Sequence, residues 1–192
     1  GANMELWWSE STIQIQGTLR MTGQFNFDGS GFLQFDENHV MYLPEDGFRL
    51  HGQGDRFLRL NKNTDWRLHD KALDLKNGAV EYADHARISV GEGGSVLARQ
   101  VDFQTWDNGT NNYGFYAVAC TDLDFQLCSF TGLEVGIQAA EVASDGELQI
   151  LYSNFEDCTV GIFAYDFPVV NVQHSQFNEA PISFAAVLAE RV

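Results

Sequence analysis

A short pattern of alternating apolar and polar residues is repeated four times in the second half of the chain. Each repeat ends in a phenylalanine, with an aliphatic residue seven positions earlier, an apolar one five earlier and a compact one two earlier. The phenylalanines are Phe103, Phe130, Phe155 and Phe177, which lie 27, 25 and 22 residues apart. Alternate side chains of a β-strand face the same side, so these positions are predicted to point inward. A strand-like repeat of this length is typical of a β-solenoid.

Shorter alternating runs precede these repeats from Thr12 onward, and Gly, Asn, Asp or Pro separates them. They predict strands of a few residues, and no segment before residue 180 shows a helical period. The pair Asn77-Gly78 leaves one antiparallel hairpin open as an alternative. We therefore predict an all-β protein, a parallel β-helix with capped ends.

The predicted solenoid domain spans residues 12–184. Residues 1–11 are interpreted as an N-terminal cap, with Trp7 or Trp8 over the first coil, or as a cloning remnant. Residues 185–192 are predicted to form the last coil or a C-terminal cap. Over residues 181–192 a final pair of strands is favoured over a short covering helix, because Ile182 would stack on Ile162.

The charged residues are distributed unevenly. The formal net charge is −16, and residues 101–190 contain 13 Asp and Glu but no Lys or Arg. A surface without cations cannot replace the counterions of phosphate groups, so nucleic acid is not expected as a partner. No apolar run approaches the roughly 20 residues that span a bilayer, so membrane insertion is not expected either.

The three cysteines, Cys120, Cys128 and Cys158, fit neither a disulfide framework nor a zinc motif. Cys128 occupies the compact inward position of its repeat and is expected to behave as a small buried hydrophobe. The redox compartment stays open.

Outward positions of successive repeats should form polar ladders about 4.8 Å apart along the axis. One such ladder is Asp124, Gln149 and Asn171; two others are Asp102–Ser129–Asn154–Gln176 and Gln104–Thr131–Glu156–Asn178. They fit a solvated β face. They equally fit an elongated hydrogen-bonding strip for a linear glycan.

Aromatic residues between the first two repeats supply the candidate sugar contacts. Trp106, Tyr113 and Tyr116 lie in or beside the least repetitive segment, which is predicted to be a loop, and their rings could stack on sugars. His174 stands three residues before Phe177, where Gln100, Leu127 and Tyr152 stand in other repeats. This position favours a space-filling role over a ligand or a base.

Two pairs of carboxylates align on successive repeats. Asp122 aligns with Glu147, and Asp157 aligns with Glu179. The two carboxylates of such a pair share a proton, bind a cation together or point away from each other into the solvent. A catalytic pair for glycoside hydrolysis and a Ca²⁺ site, which needs six or more oxygens, are the functional alternatives. No protein metal-binding motif, phosphate loop or nucleophile motif accompanies them.

The repeats resemble the right-handed parallel β-helix superfamily, the pectate-lyase-like fold. The resemblance is carried by residues 93–103, 123–130 and 148–155 and by Gly161-Ile162, and it is specific only from residue 73 onward. Within that superfamily the repeats look most like those of secreted bacterial surface proteins, including adhesin-like proteins. The spacing of the phenylalanines predicts coils of about 22–27 residues, and the resemblance implies an extracellular or cell-surface location.

The resemblance also bears on catalysis. Pectate-lyase-like enzymes use carboxylate-held calcium and a basic Arg or Lys, whereas residues 101–190 offer neither base. The sequence therefore favours a non-catalytic module that is a rigid spacer or an adhesive surface for polysaccharide or cell-surface glycan. The alternative is a polysaccharide-degrading hydrolase or lyase, or a phage tailspike-type fragment, that uses the carboxylates. The oligomeric state stays open.

Overall fold

A computed structural model describes residues 12–15, 25–29, 32–35, 37–38, 40–42, 48–52, 56–106, 108–140, 146–166 and 169–187. The expected cap at residues 1–11, with Trp7 and Trp8, lies outside this part, as do residues 188–192. The described residues form strands and turns, without a helix.

The described residues form twenty strands. In chain order they are β1 Thr12–Ile15, β2 Phe25–Gly29, β3 Phe32–Phe35, β4 Val40–Tyr42, β5 Phe48–Gly52, β6 Arg56–Leu60, β7 Asp65–Leu68, β8 Ala72–Tyr82, β9 Arg87–Val90, β10 Ser95–Thr105, β11 Tyr113–Val118, β12 Leu123–Gln126, β13 Ser129–Thr131, β14 Val135–Ala140, β15 Glu147–Leu151, β16 Asn154–Glu156, β17 Val160–Tyr165, β18 Val169–Gln173, β19 Gln176–Asn178 and β20 Ile182–Val187.

All pairs between these strands are parallel, and each joins residues one coil apart. The chain thus winds into a β-solenoid of about 6 turns, which confirms the predicted architecture. Parallel strands need a long connection, and here the rest of the coil provides it. The hairpin left open at Asn77-Gly78 is absent, because β8 continues through both residues and pairs in parallel on both sides.

Each coil has three strand segments, which define three faces of the solenoid. The first face contains β12, β15 and β18, the second contains β13, β16 and β19, and the third contains β14, β17 and β20. The long strands β8 and β10 cross from the first face to the second. They therefore bend at the corner between these faces.

This bend, the first corner, is made by one residue per coil in the left-handed backbone conformation. The φ angles there lie between 52° and 55°, and the residues are Asn77, Gln100, Leu127, Tyr152 and His174. The next residue inward is small in each of these coils, and the two serines among them continue the hydrogen-bond ladder across the corner. Ser153 Oγ accepts a hydrogen bond from the backbone N–H of Cys128, and Ser175 Oγ accepts one from the backbone N–H of Ser153, both at 3.2 Å.

The predicted phenylalanine column runs along the inside of the second face. Ring centroids are 4.8 Å apart for Phe103 and Phe130, 4.6 Å for Phe130 and Phe155, and 4.8 Å for Phe155 and Phe177. The first three rings are fully buried. Each such side chain stabilises the fold by about 1.5–3 kcal/mol through burial, and each stacked pair adds about 0.5–1.5 kcal/mol. The column prediction is confirmed.

One detail of the third face differs from the sequence-based expectation. Ile162 pairs with Phe184 and not with Ile182, which lies opposite Val160. The last segment is a strand, as expected, but its inward residues are displaced by two positions. Gly136 lies inside β14, and glycine is required there because a side chain would collide with the carbonyl oxygen of Gly161 on the next coil.

Candidate functional site

The ladder of Asp124, Gln149 and Asn171 lies in register on the outside of the first face. Its polar groups are partly occupied by neighbours on the same strands. Gln126 Nε2 donates to both carboxylate oxygens of Asp124, at 3.0 and 3.1 Å, and Gln173 Nε2 donates to Asn171 Oδ1 at 2.9 Å. The ladder is therefore a preorganised row of amides and carboxylates.

The other two ladders lie side by side on the second face, also in the expected register. Hydrogen bonds join their rungs across coils. Ser129 Oγ donates to Asp102 at 2.6 Å, and Asn178 Nδ2 donates to Asn154 Oδ1 at 3.2 Å. We call the outer side of β13, β16 and β19, with the second half of β10, the polar strip.

Trp106 lies directly after β10, at the border of the polar strip. The guanidinium carbon of Arg59 lies 3.9 Å from the centroid of a Trp106 ring. Arg59 also pairs with the buried Glu81 through a 2.6 Å contact between Nη2 and Oε2. Because the Arg59–Glu81 pair is almost buried, the arginine is held against the indole. The indole is thus fixed in orientation at the edge of the strip.

A polar cleft of about 470 Å³ adjoins Trp106. Asn61, Lys62 and Asp84 contribute to its lining, together with Gln34 and Glu37. The cleft thus places one aromatic wall beside amides and charged groups. The cleft can therefore combine ring stacking with hydrogen bonds.

Tyr113 and Tyr116 lie on β11 of the third face, not in the loop before it. Their rings meet edge to face at a centroid distance of 6.1 Å, and the Arg87 guanidinium carbon lies 5.3 Å from the centroid of the Tyr116 ring. The segment between Trp106 and Tyr113 joins β10 to β11, so these two residues flank it, whereas Tyr116 lies farther along β11.

Asp65 anchors a network beside these tyrosines. Its carboxylate accepts hydrogen bonds from Arg67 Nε at 2.8 Å, from Arg87 Nη2 at 2.9 Å and from Ser89 Oγ. Burial acts to raise the pKa of Asp65, but the bonds from Arg87, Ser89 and Arg67 outweigh it and leave the pKa below 3.8, its ordinary value. The network was not identified from the sequence, because its members lie in two different coils.

The two carboxylate pairs lie at the outer edges of coils. Asp122 directly precedes β12. Its Oδ1 atom accepts a hydrogen bond from the backbone N–H of Glu147, with 3.4 Å between nitrogen and oxygen. Asp157 and Glu179 are exposed and both have φ of 53°, at the corner between the second and third faces. In the described part of the chain no three His, Cys, Asp or Glu side chains are grouped as a metal site would need.

The six predicted binding residues do not form one site. Asp124, Gln149 and Asn171 lie on the first face, Trp106 borders the second, and Tyr113 and Tyr116 lie on the third. Sequence spacing placed each residue outside the core but could not assign it to a face. Of these six residues, only Trp106 adjoins both the polar strip and the polar cleft.

One group of exposed residues was missed. At the first corner, Leu127 and Tyr152 are 57% and 58% exposed, and the Tyr152 ring stacks on His174 at 4.8 Å with 7° between the planes. His174 is itself exposed, so the expected space-filling role is wrong. We call Leu127, Tyr152 and His174 the corner ridge. The sequence signal was present: three bulky residues repeat at one offset from the phenylalanine column.

The chain matches no protein-family model, and no curated protein or solved structure is significantly similar to it. The described residues contain no helix of the length and apolarity that crossing a membrane requires. The architecture is therefore assigned from its geometry, namely parallel coils with three strand segments each.

Proposed function

We propose that this protein is a non-catalytic, extracellular β-helix module that presents a rigid surface to neutral glycans. The polar strip carries the proposal. Its ladders repeat at every coil, which matches a ligand built from repeating units along the solenoid axis. The rungs are already joined by hydrogen bonds, so docking would immobilise few side chains and lose little entropy.

Trp106 supports the same proposal. The indole lies at the border of the strip and beside the polar cleft, and Arg59 holds it in place. Sugar rings have apolar faces and hydroxyl edges, so they suit an aromatic wall next to amides and carboxylates. The absence of Lys and Arg from residues 101–190 disfavours anionic polymers and favours uncharged ones.

The resemblance to pectate-lyase-like and adhesin-like repeats is consistent with this role, and a secreted or cell-surface location belongs to the same proposal. A stiff solenoid would also serve as a spacer between other parts of a surface protein. The two roles are compatible, because the strip runs along the outside of the rod.

Affinity electrophoresis would test the proposal. The protein is run through native gels that contain hydroxyethyl cellulose, galactomannan or polygalacturonate. We expect retardation by a neutral polymer and none by polygalacturonate, with Trp106→Ala weakening the retardation. Migration unaffected by every neutral polymer would overturn the proposal.

The enzymatic alternative has a separate readout. Reducing ends and unsaturated products are measured after incubation with the same polymers. We expect no turnover. If products form, and if Asp122→Asn or Asp157→Asn abolishes their formation, the protein is a polysaccharide-degrading enzyme and the proposed non-catalytic function is wrong.

A further inference from the structure

Two of the three residues of the corner ridge have a backbone conformation that their side chains do not favour. Leu127 and Tyr152 have φ of 55° and 52°, in the left-handed region that suits Gly and Asn and disfavours bulky side chains. Asn77 occupies the same corner three coils before Tyr152, and its Nδ2 donates to Gly52 O at 3.1 Å. The fold can therefore make this corner with an unstrained residue.

The ridge also leaves apolar surface in water. Leu127 and Tyr152 are more than half exposed, so their side chains contribute little to the core, in contrast to the buried phenylalanines behind them. Tyr152 gains a stacking contact from His174 on the next coil. Backbone strain together with apolar exposure points to a role in binding rather than in folding.

The surroundings of the ridge indicate the chemistry of its ligand. Gln126 and Gln173 border it on the first face, and Asn154 and Gln176 border it on the second. Each amide offers two donors and an acceptor oxygen with two lone pairs, so hydrogen-bonding capacity remains on both sides. Carboxylates but no cations accompany these amides in the same coils, which disfavours an anionic ligand.

The shape of the ridge favours a narrow ligand over a large partner surface. It is one residue wide and three coils long, with its two rings 4.8 Å apart. A stable protein–protein interface buries about 800 Å² on each partner, far more than such a ridge supplies. An uncharged linear polymer of small rings fits its width and its direction along the axis.

We infer that Leu127, Tyr152 and His174 form a binding site for the sugar rings of a neutral linear polysaccharide, flanked on both sides by amides. This inference rests on the proposed glycan-binding function and adds a second set of ring contacts to the one at Trp106. The polymer would run parallel to the solenoid axis, along the edge that the polar strip shares with the first face. Trp106 borders the opposite edge of that strip.

The test uses the double variant Leu127→Asn/Tyr152→Asn in gels containing hydroxyethyl cellulose or galactomannan. Asparagine suits the backbone of this corner, so we expect a midpoint of thermal unfolding equal to or above that of the original protein. Retardation should weaken roughly tenfold or more, the change that corresponds to 1.4 kcal/mol of binding free energy. Tyr152→Phe keeps the ring and should retain most of the retardation.

Ala119→Asn is the matched control. Ala119 also has a left-handed backbone, with φ of 56°, but lies at the corner after the third face. It should stabilise the fold in the same way without changing retardation. Full retardation of the double variant would show that the corner ridge does not bind the polymer, while the proposed glycan-binding function would still hold. A loss of thermal stability in the double variant would instead assign the ridge a structural role, and absence of retardation in the original protein would overturn both proposals.

Discussion

The ring of Phe130 lies 4.6 Å from the ring of Phe155 on the next coil, with only 3° between their planes. This relationship shows how the solenoid is held together. One coil cannot bury its own inner face, so each ring is covered by the equivalent ring of its neighbours. Interior positions should therefore matter more than positions in the last coil.

Phe130→Ala should lower the free energy of unfolding by about 3–5 kcal/mol, because it opens a cavity between two stacked rings. Phe177→Ala should cost less, since Phe177 is only partly buried and stacks on one ring of the column. Urea unfolding followed by tryptophan fluorescence measures both, with the buried Trp66 as a reporter. Equal losses for the two variants would contradict the stacked-column account.

Gly136→Ala should destabilise the protein strongly. A Cβ at this position would lie 2.6 Å from the Gly161 carbonyl oxygen and 3.0 Å from the Phe155 ring, so two coils would have to separate. The cost should reach or exceed the 1–3 kcal/mol typical of overpacked cores.

Gly132→Ala is the control for this substitution. Its Cβ would meet only Thr105, at 3.5 Å, although its φ of 68° is unfavourable for alanine. It should lose about 1–2 kcal/mol from that backbone strain alone. Thermal unfolding of both variants measures the difference, and a larger loss for Gly132→Ala would contradict the prediction.

Asp65→Asn should make stability less dependent on acid pH. The folded state holds the pKa of Asp65 below 3.8, so its stabilising effect is fully present above about pH 4 and is lost as the pH falls through the folded pKa. At pH 7 the variant should lose about 1–3 kcal/mol, because the hydrogen bonds from Arg67 and Arg87 lose a charged acceptor.

The measurement is the midpoint of thermal unfolding between pH 2 and pH 7 for both proteins. The difference in unfolding midpoint between the original protein and the variant should be constant from about pH 4 to pH 7 and should become smaller towards pH 2. A gap that widens on acidification would mean that the carboxylate does not stabilise the folded state.

The three thiols should be unreactive in the folded protein. Cys120, Cys128 and Cys158 are all buried, and burial raises the pKa of Cys120 and of Cys128 to about 12, so the reactive thiolate is scarce at neutral pH. A colourimetric disulfide reagent should detect no fast-reacting thiol at pH 8 and three after unfolding in urea. Rapid labelling of the native protein would contradict this prediction.

Much of the interior was predictable from the sequence. The offsets from Phe103, Phe130 and Phe155 identified the column of rings and the parallel register, because neighbouring coils repeat the same inward positions. The same offsets placed Cys128 and Ser153 in the compact inward slot, where both are buried. Stacking of like residues is a property of the repeat and needs no knowledge of the corners.

The faces were decided only by the tertiary structure. Leu127, Tyr152 and His174 turn the chain at the first corner although only His174 is of a type that often adopts this backbone conformation, so local propensity did not reveal the turn. The bend separates Asp124 from Asn154 onto different faces and exposes the ridge between them. Likewise, the contact of Arg59 with Trp106 depends on the rise of two coils, which brings together residues that are distant in the chain. Sequence periodicity therefore determined which residues form the core, and the geometry of the corners determined which surface residues lie next to one another.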